Sequence, residues 1–142
     1  MEEKENIMNA IEIYNKGEQL EAKDKYEEAF KAYEEAAKLN YNKAQFKVGC
    51  FYRLGLGVDK DLIKAMYYFQ KAAKAGNVGA MQNIGSMYYF GEGVWKSYEE
   101  AKIWFKKAAE LGDGLSCKCL GNMYFYGTGT EPDYVCLLYT SD

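Results

Sequence analysis

The chain has 142 residues, 49% hydrophobic and 27% charged, enough for one ordinary folded domain that buries roughly two-thirds of its unfolded surface. Eighteen Lys and Arg against 21 Asp and Glu leave a formal charge of −3 with both signs mixed, so no basic stripe exists for a nucleic-acid backbone to follow. No apolar run approaches the ~18 residues of a membrane span, and there is no histidine to act as a general base or imidazole ligand.

Met1-Glu2-Glu3-Lys4-Glu5 opens the chain with charge, and no apolar core follows as a signal peptide would require. The expected location is the cytoplasm. Cys50, Cys117, Cys119 and Cys136 form no regular framework, which suits a reducing compartment.

In chain order, the first predicted unit covers residues 6–41, with Gly17 in its first helix and Ala29, Tyr33 and Ala36 in its second. Asp24-Lys25-Tyr26-Glu27 offers Asp24 as a cap for that second helix. The second unit, 42–77, sets Phe46, Val48, Gly49 and Tyr52 at helical spacing and stops at Gly55-Leu56-Gly57, whose glycines supply the positive φ of a tight turn. Its second helix starts after Asp59 or Asp61, carries Ala65, Tyr68, Phe69, Ala72 and Ala73 on its apolar side, and ends at Gly76 as C′ residue.

The third unit, 78–113, repeats the second in register. Ala44, Gly49, Tyr52, Gly55, Gly57 and Val58 recur 36 residues later as Ala80, Gly85, Tyr88, Gly91, Gly93 and Val94. Ala65, Phe69, Ala72, Ala73 and Gly76 recur as Ala101, Phe105, Ala108, Ala109 and Gly112. Composition cannot produce that register, so the chain is read as stacked helical hairpins. Ser97-Tyr98-Glu99-Glu100 has the form of a capping box. A partial fourth unit, 114–135, keeps Gly121, Tyr124, Gly127 and Gly129. The first unit differs in its turn: Gly17 to Ala29 is 12 residues, whereas Gly49 to Ala65 and Gly85 to Ala101 are 16.

Residues 43–77 and 79–113 resemble the Sel-1-like repeat. Its pattern, A-x-x-x-L-G-x-x-Y-x-x-G-x-G-V followed by K-A-x-x-(W/Y)-(F/Y)-x-K-A-A-x-x-G, is matched by Ala80 through Val94 and then by Ala101-Lys102-Ile103-Trp104-Phe105-Lys106-Lys107-Ala108-Ala109 and Gly112. The first unit is closer to a plain tetratricopeptide repeat. The resemblance implies an all-α, right-handed solenoid of antiparallel helix pairs, about seven helices in this chain, acting as a scaffold for protein contacts. Some secreted Sel-1-like proteins carry repeated cysteine pairs and were linked to β-lactam chemistry, a branch that the absence of such pairs disfavours.

The resemblance also implies a groove lined by the first helix of each unit. Carried across by Gly17, Gly49, Gly85 and Gly121, the groove positions are Tyr14, Glu18 and Glu21; Phe46, Cys50 and Arg53; Gln82, Ser86 and Tyr89; Lys118, Asn122 and Phe125. Aromatic anchors between polar groups suit a peptide or helix of a partner protein. The same rings equally suit packing between neighbouring units, and the residues alone leave both readings open. Lys118 with Asn122 matches half of a carboxylate clamp of chaperone-binding tetratricopeptide domains. The Lys- and Glu-rich opposite side, with Lys64, Lys71, Lys74, Lys102, Lys106 and Lys107, reads as a solvated face.

Catalysis, cofactors and metals are not expected. Residues two apart on a helix point about 200° from each other, so Cys117-x-Cys119 chelates poorly, and the Gly-x-Gly pairs recur as turns with no phosphate-loop Lys after them. The tail, 136–142, departs from the repeat and resembles the translation of a transposase-type sequencing adapter, so the natural protein is expected to continue beyond about residue 135. The competing reading is an atypical terminal repeat. Left without its partner helix, the last repeat is expected to self-associate or fray through residues such as Tyr124 and Phe125. The leading function is therefore an interaction scaffold or adaptor. The alternative is a regulatory or targeting arm of a larger enzyme or signalling protein.

Overall fold

A computed structural model describes residues 2–112, 114 and 116–118. The expectations for Cys119, Asn122, Tyr124, Phe125 and the tail fall outside these residues. Six helices follow one another: α1 (Glu2–Ala22), α2 (Tyr26–Lys38), α3 (Asn42–Leu54), α4 (Leu62–Lys74), α5 (Val78–Phe90) and α6 (Tyr98–Glu110). Residues 114 and 116–118 are helical as well. Among the described residues there is no strand, and no helix is long and apolar enough to cross a membrane. The helices pair as hairpins, α1 with α2, α3 with α4 and α5 with α6. One compact unit ends at Asn77 and holds the first two hairpins, with α2 packed on α3; a second begins at Val78.

Each of the three described hairpins closes on the same joint. A glycine of the first helix faces an aromatic ring of the second: Gly17 against Tyr33, Gly49 against Phe69, Gly85 against Phe105. A Cβ at these glycines would stand 2.8, 2.7 and 2.7 Å from the ring carbons, inside van der Waals contact. The rings are fully buried, each stabilising its hairpin by roughly 1.5–3 kcal/mol. Around the joint sit alanines with no exposed surface, Ala29, Ala65 and Ala101, then Ala36, Ala72 and Ala108, which let the helices approach.

The helix ends follow from local chemistry. Ser97 Oγ accepts from the Glu100 amide at 3.2 Å, and Asp61, the nearer of the two candidate aspartates, accepts from the Lys64 amide at 3.0 Å. Asp24 does not cap α2. It takes a left-handed φ of 59° in the short turn and accepts from the Tyr26 hydroxyl at 2.8 Å, while Lys25 occupies the cap position without a side-chain bond. The expected cap fails because, with no Gly-x-Gly loop, the left-handed residue must come from the three positions left, and aspartate tolerates that conformation best.

At the other end of the second helices, Gly76 and Gly112 take φ of 93° and 92° just beyond the cap. The Gly76 and Asn77 amides donate back to Ala73 and Ala72 at 2.9 and 3.0 Å. Asn40 fills the same position after α2 with φ of 63°, its amide donating to Ala37 at 2.9 Å. Gly57 has a second reason to be glycine: any Cβ would collide with the Tyr26 carbonyl at the start of α2. Glu34 and Lys38, an i,i+4 pair, meet at 3.9 Å on the surface of α2.

Candidate functional site

On α1, Tyr14, Glu18 and Glu21 are four and three residues apart and so share one face; on α3, Lys47, Cys50 and Arg53 do the same. The two faces meet. The Glu21 carboxylate joins them: its Oε1 accepts from the Tyr33 hydroxyl at 2.7 Å and from Lys47 Nζ at 3.1 Å, and its Oε2 accepts from Lys47 Nζ at 3.5 Å. The side chains of Lys47 and Glu21 are 26% and 29% exposed, so this ion pair is shielded from water more than an ordinary surface pair and links the helices more firmly. The ammonium also lies 5.7 Å from the centre of the Tyr33 ring. Glu18, Glu21, Ala22 and Lys47 enclose an open hollow of about 230 Å³.

Tyr14 stands beside the hollow, half-buried, with its ring centre 5.4 Å from that of Tyr33 and 5.2 Å, edge-on, from Tyr41. Burial first, then the charge of Glu18, pushes the Tyr14 phenol up to about 12. Tyr33 is pushed up too, by burial and by its bond to Glu21. Burial pushes the Cys50 thiol up to about 11, although Lys47 and Arg53 pull it down. These three groups are neutral at neutral pH. The charge on this face therefore comes from Glu18 and Glu21 on α1 and from Lys47 and Arg53 on α3.

The groove positions carried over from the repeat pattern fall as follows. In the compact unit that ends at Asn77, Glu18 is exposed, and Tyr14, Glu21, Phe46, Cys50 and Arg53 are half-buried. Phe46 lies 6.1 Å, centre to centre, from the buried Phe69, so it packs on the core while keeping some surface. In the compact unit that begins at Val78, Gln82, Ser86 and Tyr89 on α5 are half-buried and Lys118 is exposed. Tyr89 leans on Tyr98 at 5.2 Å and on Phe90 at 5.0 Å, beside the buried cluster of Ala101, Phe105, Ala109 and Cys117.

Two members of the site, Tyr33 and Lys47, are missing from the groove positions read off the sequence. The clue to Tyr33 lay in the repeat itself, where the equivalent positions are Phe69 and Phe105 and only the first unit adds a hydroxyl. Lys47 lies one residue from a groove position and turns toward α1 because Glu21 is there. Among the described residues no three His, Cys, Asp or Glu side chains converge as metal ligands would.

Comparison with known proteins bears on this geometry. The Sel1 repeat family model matches residues 10–41, 42–77, 78–113 and 120–135. The crystal structure of a Sel1 repeat protein from Oxalobacter formigenes is 33% identical, with a TM-score of 0.82 over 92% of this chain and 56% of that one. A protective antigen of uropathogenic Escherichia coli strains with an SLR fold is 32% identical, with a TM-score of 0.83 over 92% of this chain and 29% of its own. Helicobacter pylori cysteine rich protein B is 26% identical, with a TM-score of 0.63 over 83% of this chain and 94% of that one. No curated protein matches in sequence. The chain thus spans about half of the Oxalobacter protein and under a third of the E. coli antigen. The fold class is the all-α helical solenoid of these proteins. With the repeat model covering most of its length, the chain belongs to the Sel1 repeat family.

Proposed function

We propose that this protein is an interaction scaffold that takes a peptide or helix of a partner protein on the face formed by α1 and α3. Sel1 repeat proteins generally serve as protein-interaction scaffolds. The observation that carries the reading to this face is the set Tyr14, Glu18, Glu21, Lys47 and Arg53. Glu18, Glu21 and Lys47 line the hollow, Tyr14 stands beside it and Arg53 continues the same α3 face, all of them partly open to solvent. Half-buried aromatic surface beside charged groups is the composition of a peptide-binding groove. A cytoplasmic setting is part of the proposal, since Cys50 and Cys117 are free thiols.

Selection of a random-sequence phage peptide library on the immobilised chain tests it. Recovered peptides should lose most of their binding to a Tyr14→Ala, Arg53→Glu variant whose helical circular dichroism and melting temperature match the parent. Peptides that bind the variant as well as the parent would move the binding face elsewhere.

A further inference from the structure

We propose that the α1–α3 hollow seats a lysine or arginine side chain of the bound partner, with the Glu18 carboxylate as its counter-ion; this rests on the reading of the α1–α3 face as the partner-binding face. Three charged side chains line the hollow, and their bonds are unequally distributed. Lys47 is spent on Glu21, reaching both carboxylate oxygens, and Glu21 also holds the Tyr33 hydroxyl. Glu18 is exposed and, among the described residues, makes neither an ion pair nor a hydrogen bond. The lining therefore carries two carboxylates against one ammonium, and the uncompensated one is at the open edge.

An anionic partner group would meet Glu18 with no free cation in the lining to offset it. An apolar group would strip water from Glu18 and return nothing. A basic side chain instead completes the charge balance, and a hollow of about 230 Å³ has room for one long side chain. Its stem can lie against the Ala22 methyl with its charge toward Glu18, the usual arrangement for lysine and arginine. Tyr14, one helical turn from Glu18, is a neutral neighbour that does not compete for the cation.

The peptides recovered from the library serve as the probe, measured by fluorescence polarisation against the whole chain. They should be enriched in lysine or arginine, and added salt should weaken them. Glu18→Gln should weaken binding about three- to tenfold, as expected for one partly shielded ion pair. Glu18→Lys should weaken it further, and exchanging the peptide's basic residue for glutamate should restore binding to that variant. Peptides that lose binding with Tyr14→Ala, Arg53→Glu yet ignore Glu18→Gln would overturn the seat and leave the face standing. Peptides indifferent to all of these substitutions, or a library that yields no binder, would overturn both.

Discussion

The first hairpin and the third solve the same packing problem with different chemistry at one position. In α5–α6 the ring set against the glycine is Phe105, which is 2% exposed and purely apolar. In α1–α2 it is Tyr33, with the ring as deeply buried but the hydroxyl reaching Glu21. One oxygen atom carries the core outward: the buried ring orients a carboxylate, and the carboxylate holds Lys47 of the next hairpin. The turns differ as well. The third hairpin has two left-handed glycines and a serine cap, whereas the first has a single left-handed aspartate and no side-chain cap. A repeat tolerates such differences where they leave the glycine-ring joint intact.

The joint itself should give the largest effect. Gly85→Leu is expected to destabilise the chain by at least about 1–3 kcal/mol through overpacking against Phe105, read as a lower urea midpoint. Gly17→Leu should cost about as much, because Tyr33 stands equally close. A large loss at one and none at the other would break the equivalence of the two hairpins.

The hydroxyl comes next. Tyr33→Phe keeps the ring and removes a hydrogen bond to a carboxylate that retains Lys47, so it should cost about 1 kcal/mol. No change in the urea midpoint would make the hydroxyl a bystander. The caps should separate the hairpins in the opposite sense. Ser97→Ala should cost about 1 kcal/mol, but Asp24→Gly should change stability by less than about 0.5 kcal/mol, since Asp24 caps nothing and glycine takes a left-handed φ freely. Thermal unfolding of the two variants decides it.

The smallest effect at neutral pH concerns alkali. Cys50 and Tyr14, both in the compact unit that ends at Asn77, are acids whose folded values lie above their ordinary 9.0 and 10.0, at about 11 and about 12. The folded state holds their protons more tightly than the unfolded chain does. Their contribution is therefore complete below pH 9 and is lost as pH rises toward 12. Probes of that compact unit should show stability falling over that range, and alkylation of Cys50 should accelerate toward pH 11. A Cys50 reaction already at its maximum by pH 9 would contradict the burial of the thiol.

Much of the fold was legible because the repeat is written in small residues. Gly49, Gly85 and the alanines at 65, 72, 101 and 108 are where they are for close approach, and a fixed offset exposes them. The Ser97 cap and the left-handed Gly55 and Gly57 were legible for the same local reason. Asn40 was not, although it does the work of Gly76, because asparagine is a common residue elsewhere and glycine was the sign being followed. Asp24 misled because its spacing from α2 fits a cap, while the shortness of the turn dictates another conformation.

The site was only half legible. Positions on α1 and α3 follow from helical spacing, but which of them touch depends on contacts between hairpins. Glu21 with Lys47 is a pairing 26 residues apart that no local pattern encodes.

The glycine-ring joint has an evolutionary consequence. Gly49 and Phe69 lie in the same hairpin, as do Gly85 and Phe105, so both halves of each joint are encoded within one short stretch of gene. Duplicating that stretch copies the socket together with its ring, so the new hairpin arrives with both halves of its closing contact. An array built this way can lengthen or shorten by whole hairpins without a second, compensating mutation elsewhere. Residues outside the joint are then free to diverge from copy to copy, as Glu21 and Lys47 have done.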